Sequence, residues 1–245
     1  MSAQSTPARK RPSHGPTGFV LEIGIGLIFL TIFSWGMGVL IEIVGTYTVW
    51  ADQGEHHSRQ LVIEDLGYIA AAPRSVLVRD TVGFSRELLT CVSLPFDKFG
   101  IDAWYRRMNE AAHDEPVRAG GVANASRELA IEISKWLIIA KYVAMDTALR
   151  LSIAVFAMPA FALACLLGAV DGLVRRDLRR WGGGRESSFV YHRAKRFATW
   201  SLTGGFAAYL SWPFGGFNPA YMVLIFTALV AASLSTTLAT FKKYL

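Results

Sequence analysis

Long apolar runs alternate with charged segments along the chain. Residues 23–41 and 151–170 carry no charged side chain, and neither do residues 197–240. A helix needs roughly 17 to 25 apolar residues to cross a bilayer, so the first two runs each predict one span. The third run is about twice that length, and the proline- and glycine-rich residues 212–219 predict that it turns back on itself. The pattern therefore predicts an all-α, polytopic helical membrane protein with about four transmembrane helices.

A helical region is predicted between the first and second spans. Apolar residues recur near helical spacing at Leu61, Ile63, Leu66 and Ile69, and again, after Pro73, at Leu77, Phe84, Leu88 and Val92. A third short helix is predicted over residues 101–111, with Trp104 and Met108 on one face. This region is expected to form a small helical cap on the membrane.

The second span is predicted to be the end of a longer helix over residues 126–169. This segment has no proline or glycine before Pro159, which should kink the helix. Asp146 and Arg150 are one turn apart near the outer interface and are expected to form an intrahelical ion pair. A proton or ion relay is the sharper alternative for this pair, but a position at the membrane edge favours simple pairing.

Charge predicts the orientation of these spans. Residues 171–196 carry eight cations against three anions, whereas residues 42–148 carry 11 basic and 15 acidic side chains, a net charge of −4. Basic segments stay in the cytoplasm, so both termini are expected there, in a bacterial inner membrane. The predicted divisions are a disordered cytoplasmic tail (1–18), transmembrane helix 1 (19–41), a periplasmic region (42–148), transmembrane helix 2 (149–170), a basic cytoplasmic loop (171–196), a transmembrane hairpin of helices 3 and 4 (197–241) and a cytoplasmic end (242–245).

The composition agrees with a membrane protein and limits the kinds of partner that the cations could bind. Hydrophobic residues make up 52% of the 245 residues, and the net charge is +6. Because the cations lie beside apolar runs and no nucleic-acid motif accompanies them, the anionic inner leaflet is favoured over DNA as their counter-charge. Cys91 and Cys165 are predicted to lie in different environments and to form no disulfide. A cleaved signal peptide is the alternative to the first span, but its apolar core would be shorter.

Candidate chemistry is sparse. The run Gly182 to Gly184 lacks the lysine and spacing of a phosphate loop, and neither an H-E-x-x-H nor a C-x-x-C motif occurs. His56 and His57 lie near Glu55, Glu64 and Asp65, but adjacent histidines on a helix point apart, so exposed polar residues are favoured over a metal site. No catalytic residue, cofactor or metal is predicted. Glycines of the first span could allow close helix approach, although ordinary glycine tolerance explains them nearly as well: Gly24, Gly26, Gly36 and Gly38.

The basic loop is the predicted contact site. Its first part, DGLVRRDLRRW, places apolar residues near helical spacing with arginines around them, as in helices that lie on an anionic membrane surface. A simple positive-inside anchor and an additional docking role for a partner protein both remain open. The predicted partner- or lipid-binding residues are Arg175, Arg176, Arg179, Arg180, Arg185, Tyr191, His192, Arg193, Lys195 and Arg196.

The run DGLVRRDLRRWGGGRESSFVYHRAKR, the terminal TFKKYL and the segment GYIAAAPRS resemble the integrating conjugative element membrane proteins, a family catalogued as a domain of unknown function. The resemblance covers most of the chain after residue 19. It implies an inner-membrane component of conjugative DNA transfer, encoded with type IV secretion genes near the coupling ATPase, and it carries over no catalytic residue.

From this resemblance and the charge of the loop, we expect a non-enzymatic accessory that docks a transfer protein such as the coupling ATPase. A small transporter or channel for a neutral solute, using the uncharged third and fourth spans, is an alternative. An entry-exclusion or envelope protein acting through the periplasmic cap is another. The sequence predicts neither the oligomeric state nor direct contact with DNA.

Overall fold

A computed structural model describes residues 16–72, 75–114, 122–182, 200, 203–215 and 218–240, and within these every regular element is helical. This confirms the all-α prediction. The helices are α1 (Pro16–Thr48), α2 (His56–Ala71), α3 (Thr81–Lys98), α4 (Ile101–Asp114), α5 (Val122–Phe156), α6 (Met158–Trp181), α7 (203–210 as far as it is described) and α8 (Pro219–Ala239).

Three of the described helices are long and apolar enough to cross a membrane, over Gly24–Thr48, Met158–Trp181 and Pro219–Ala239. The first and last overlap the spans expected at residues 19–41 and 220–240. The second begins nine residues later than the predicted 149–170. The span predicted between residues 197 and 212 lies partly outside the described residues. The division of the chain between membrane and water stays a prediction.

Helix α5 is the centre of the part of the fold that contains α1 to α4. It runs antiparallel to α1, since Trp35 Nε1 donates to Ala140 O at 3.0 Å while Tyr47, later in α1, donates its hydroxyl to the earlier Glu132. A second side of α5 contributes Leu149 to a core with Val62 and Ile69 of α2. Burial of these aliphatic side chains stabilises the cap at about 25 cal/mol per Å² of apolar surface.

Two apolar positions of the cap differ from the predicted pattern. Leu61 and Ile69 are buried as expected, but Ile63 is 57% exposed. Val62 and Asp65 belong to the buried face of α2 instead. Leu77 precedes α3 and is exposed. The predicted helix face was wrong at Ile63 because α2 packs on α5 partly through polar side chains, which an apolar periodicity does not detect, and at Leu77 because α3 begins only at Thr81.

The predicted single helix over residues 126–169 is two helices. Helix α5 ends at Phe156, Ala157 forms a turn, and α6 begins at Met158 with Pro159 in its first turn. Pro159 has no N–H to donate, and its ring disfavours an unbroken helix, which accounts for the turn at Ala157, close to the kink expected at Pro159. Helical hydrogen bonding continues through Ala157, which donates to Ile153 O at 3.0 Å and accepts from Phe161 N at 3.1 Å.

Helices α6 and α8 form a parallel pair with their backbones in close approach. A Cβ atom placed on Gly168 would lie 2.5 Å from Ala231 O, and one on Gly172 would lie 2.6 Å from Ser235 O. Both contacts join residues 63 positions apart, so the two helices run in the same direction. Small residues recur every fourth position on both faces, a pattern typical of membrane helix pairs, at Ala164, Gly168 and Gly172 of α6 and at Ala231, Ser235 and Ala239 of α8.

Close helix approach was one of two explanations for Gly24, Gly26, Gly36 and Gly38 of α1, and at these four positions it is largely absent. A Cβ atom on Gly24, Gly26 or Gly36 would meet nothing within 4 Å among the described residues. Only Gly38 is near a neighbour, with its added Cβ 3.0 Å from Val143 Cγ1. Since α1 leaves most of its apolar face exposed, these three glycines have no packing role in the described part of the chain.

Candidate functional site

Four arginines of the predicted contact site occupy the last two turns of α6. We call Arg175, Arg176, Arg179 and Arg180 the basic end of α6. At 3.6 residues per turn they cover an arc of about 140° around the helix. Leu178 and Trp181 lie on the other side, and both are exposed, Trp181 by 91%. The amphipathic spacing expected from the sequence is therefore present.

The basic end is helical, as the spacing in DGLVRRDLRRW indicated, but it continues α6 and is not a separate short helix. Helix α6 continues without interruption from the candidate span to Trp181, and Gly182 ends it with an N–H bond to Leu178 O at 2.9 Å. No proline or glycine between Gly172 and Gly182 interrupts the helix. The arginines consequently lie in the last turns of the same helix that forms the span candidate.

Two of the four arginines are tied to the neighbouring helix pair. Arg175 forms an ion pair with Asp171 at 2.9 Å, and Asp171 in turn accepts a hydrogen bond from Ser235 of α8. Arg179 Nη1 donates to Ala239 O at 3.1 Å. Because Ala239 is the last residue of α8, Arg179 satisfies a carbonyl that the helix end leaves without a partner.

The other two arginines remain available. Arg176 is half-buried and Arg180 is exposed, and neither forms an ion pair or a hydrogen bond with another described residue. The remaining predicted site residues lie outside the described residues: Arg185, Tyr191, His192, Arg193, Lys195 and Arg196.

A buried ion cluster lies at the opposite end of the α6 and α8 pair, close to where these helices begin. Arg150 of α5 pairs with Asp146 at 3.0 Å, which confirms the predicted intrahelical pair. It also donates from Nε to Asp65 of α2 at 2.9 Å, a contact across 85 residues. We call Asp65, Asp146 and Arg150 the ion cluster; each of the three side chains is less than 10% exposed.

The guanidinium of Arg150 also holds the segment between α7 and α8. Its Nη1 donates to Tyr209 O at 3.1 Å and to Trp212 O. With Nε on Asp65 and Nη2 on Asp146, every nitrogen of the group has a protein partner. These contacts use four of the five N–H donors of the group, so the guanidinium stabilises the junction of α2, α5 and the 209–212 segment.

Glu42 and His57 form a second buried contact near the ion cluster. His57 Nδ1 lies 3.1 Å from both carboxylate oxygens of Glu42, whose side chain is only 2% exposed. The ring of His57 stacks on Trp50 with centroids 4.2 Å apart. Trp50 in turn needs Gly45, since a Cβ atom there would lie 1.9 Å from the indole ring.

This arrangement corrects the prediction that both adjacent histidines are exposed. His56 is exposed, but His57 is largely buried by the α1 carboxylate and the indole. No group of three or more histidine, cysteine or acidic side chains among the described residues could hold a metal ion. Cys91 and Cys165 are both free thiols, as expected.

A second set of ion pairs lies in the cap. Lys141 of α5 donates to Asp97 at 2.7 Å and to Asp102 at 2.6 Å, which ties α3 and α4 to α5. Burial opposes the charge of Lys141, but the two carboxylates outweigh it and raise the pKa of the ammonium. Hydrogen bonds from Lys141 and Ser93 lower the pKa of Asp97.

The sequence contained only part of the signal for these contacts. The spacing of four residues between Asp146 and Arg150 was enough to predict their pair. Nothing in the local sequence linked Asp65 to Arg150, or Glu42 to His57, because these contacts depend on how the helices pack. The repeat of Gly168 and Gly172, in contrast, was visible as a four-residue spacing of small residues.

Comparison with known proteins places these features in a family. Residues 49–242 match the family model described as "IncC plasmid conjugative DNA transfer protein DtrJ-like". No curated protein and no solved structure matches the chain significantly. The match covers α2 to α8, including the basic end of α6 and the ion cluster, and it agrees with the resemblance to conjugative-element membrane proteins. The chain therefore belongs to the DtrJ-like family, and membership in this family assigns it a role in conjugative DNA transfer.

Proposed function

We propose that this protein is a non-enzymatic accessory of conjugative DNA transfer in the bacterial inner membrane. Its basic end of α6 docks another protein of the transfer machinery, and the coupling ATPase is the first candidate. The observation that carries this proposal is the arginine face at the end of the span candidate Met158–Trp181, on which Arg176 and Arg180 form no contact with another described side chain.

The expected sidedness supports access of a cytoplasmic partner to this face. The basic residues after Gly172 and the terminal Lys242 and Lys243 favour the cytoplasm for both segments under the positive-inside rule. The parallel direction of α6 and α8 fits this arrangement, since the chain between them must return to the end where α6 began. The third span predicted from the sequence at about residues 197–212 would supply this return.

The chemistry of the basic end suits protein recognition. Arginine forms bidentate bonds with carboxylates, and it is enriched with tryptophan at the energetic centres of protein interfaces. Arg180 and the fully accessible Trp181 are adjacent at the tip of α6. A partner with an acidic surface and an apolar depression would match both groups, whereas a lipid headgroup would use the charge alone.

The non-enzymatic part of the proposal rests on how the buried charges are used. Each guanidinium nitrogen of Arg150 contacts another group of the protein. Lys141 is likewise held between two carboxylates. These groups join helices to each other, which is the role of a scaffold.

The test compares two double variants in donor cells. Arg176→Gln with Arg180→Gln removes the available charges without disturbing the contacts of Arg175 and Arg179. Arg86→Gln with Arg107→Gln is the matched control, because it removes two exposed arginines from α3 and α4. Crosslinked membranes are purified through a tag on this protein, and the recovered coupling ATPase and the transfer frequency are measured.

We expect the α6 variant to reduce ATPase recovery and transfer frequency at least fivefold at an unchanged membrane level. The control should remain within twofold of the wild type. Unchanged recovery and unchanged transfer in the α6 variant would overturn the docking proposal.

A further inference from the structure

The cap contains a polar cavity of about 290 Å³ between the start of α2, α4 and α5. It lies apart from both the basic end of α6 and the ion cluster. Ile138 and Tyr142 of α5 form its apolar side, and the charged residues around it come from α2 and α4. Its volume is near the lower limit for small-molecule sites, so it fits a single compact chemical group.

The acidic groups of this cavity already have partners. The Glu55 carboxylate accepts a hydrogen bond from the hydroxyl of Tyr105. Burial and this hydrogen bond raise the pKa of Tyr105, so the phenol remains a donor to Glu55. Asp102 accepts from Lys141 Nζ at 2.6 Å. Asp102 is therefore paired with a cation, whereas Glu55 is hydrogen-bonded by a neutral phenol and keeps its negative charge, so that two arginines face one carboxylate without a cationic partner.

The cationic groups of the cavity have no such partners. Arg59 and Arg106 line the cavity from α2 and α4, and neither forms an ion pair or hydrogen bond with another described residue. His56 lies beside them, also without one. The available polar groups are thus two guanidinium donors and one imidazole.

The start of α2 adds to this positive character. Glu55, His56 and Arg59 are the N-cap and first-turn residues of a 16-residue helix, and the N-cap side chain makes no capping bond. The helix dipole gives this end a partial positive charge that favours an anion. The cavity, the uncompensated arginines and the helix end all favour the same kind of ligand.

We infer that this cavity is an oxyanion-binding site, which takes a phosphate or carboxylate group between Arg59 and Arg106. Arginine donates paired, parallel N–H groups that match the oxygens of either group. The apolar side formed by Ile138 and Tyr142 leaves room for a carbon substituent next to the anionic group. The site is independent of the proposed docking role of α6.

The inference is tested with the full-length protein purified in a neutral detergent. Inorganic phosphate and succinate are the two probes, and chloride at the same ionic strength is the reference. Binding is measured by titration calorimetry and by the shift in thermal unfolding temperature. Arg59→Gln and Arg106→Gln are compared with Arg107→Gln, which removes the same charge from the adjacent position of α4 and does not line the cavity.

At least one probe is expected to raise the unfolding temperature above the chloride reference. Each cavity variant should weaken its binding about tenfold, while Arg107→Gln binds like the wild type. Tighter phosphate binding would identify a phosphate-bearing ligand, and tighter succinate binding would identify a carboxylate. Equal behaviour of both probes and chloride, or equal weakening by Arg107→Gln, would overturn the inference.

Discussion

Arg150 Nε donates to Asp65 Oδ2 at 2.9 Å and so joins α5 to a helix that lies 85 residues earlier in the chain. The same guanidinium holds Asp146 and the backbone of residues 209 and 212. One side chain therefore connects the cap with the segment that leads into α8. Removing the charge of Arg150 should therefore affect both parts of the fold.

Replacing Arg150 by Met should be strongly destabilising. Asp65 and Asp146 would remain buried without a counter-charge, which typically costs about 3 to 5 kcal/mol when one partner of a buried pair is removed. Equilibrium unfolding in detergent measures this loss. Arg175→Met is the control, because its pair with Asp171 is exposed and should contribute little to stability. Equal losses in the two variants would contradict the structural role of the ion cluster.

Gly168→Ala and Gly172→Ala should loosen the pair of α6 and α8. The added methyl groups would lie 2.5 and 2.6 Å from backbone oxygens of α8, so the helices would have to separate. Overpacking of this kind costs about 1 to 3 kcal/mol per site, and the thermal unfolding temperature should fall in each variant.

Gly67→Ala is the control for these substitutions, since a Cβ atom there meets nothing within 4 Å among the described residues. It should leave the unfolding temperature unchanged or raise it slightly, because alanine favours a helix more than glycine does. A fall as large as that of Gly168→Ala would show that loss of glycine itself, and not helix separation, causes the effect.

The contact of Lys141 with Asp97 predicts a specific dependence of stability on pH. The pKa of Asp97 is lowered from 3.8 in the folded chain, so its contribution is present above that value and is lost as the pH falls through the lower folded pKa. The raised pKa of Lys141 keeps its own contribution through the neutral range and loses it only in strong alkali. The free energy of unfolding of Lys141→Met should therefore be lower than that of the wild type at pH 7. The difference between the two should shrink toward pH 3.

Lys98→Met provides the comparison, since Lys98 is exposed at the end of α3 and no described contact joins it to an acid. Its difference from the wild type should be small and similar at both pH values. A Lys141→Met difference that does not change between pH 7 and pH 3 would contradict the assigned ion pairs.

The two native cysteines allow the orientation of the chain to be tested without introducing new cysteines. Cys91 lies exposed on α3, and Cys165 lies within the span candidate Met158–Trp181. A membrane-impermeant maleimide should label Cys91 in intact spheroplasts and should not label Cys165, because a thiol surrounded by lipid is protected. Cys91→Ser should abolish the signal. Labelling of Cys91 only after the membrane is permeabilised would place the cap in the cytoplasm.

Local patterns were sufficient for much of the fold. The helical class, the apolar span candidates, the kink at Pro159 and the pair of Asp146 with Arg150 depend on residues close in sequence, and the structure confirms them. The partner of Arg150 on α2 could not be predicted, because a single sequence does not specify which helix faces are in contact. The same reason explains why His57 was expected to be exposed.

The sequence indicated part of the extent of α6. The spacing of Leu173, Leu178 and Trp181 indicated a helix, but the high charge led to the prediction that this helix is separate from the span at residues 149–170. Charge favours water over lipid and does not itself end a helix, and arginine is a good helix former. The helix therefore continues until Gly182, the first residue after the arginines that favours a different backbone conformation.

The direct backbone contact between α6 and α8 has a mechanical consequence. Gly168 and Gly172 interpose no side chain that could change rotamer and absorb a displacement. A shift of α6 by one residue along its neighbour would place Ala169 or Leu173 where only hydrogen fits. We therefore expect the two helices to move together, so that a displacement of the arginines at one end of the pair also displaces the other end.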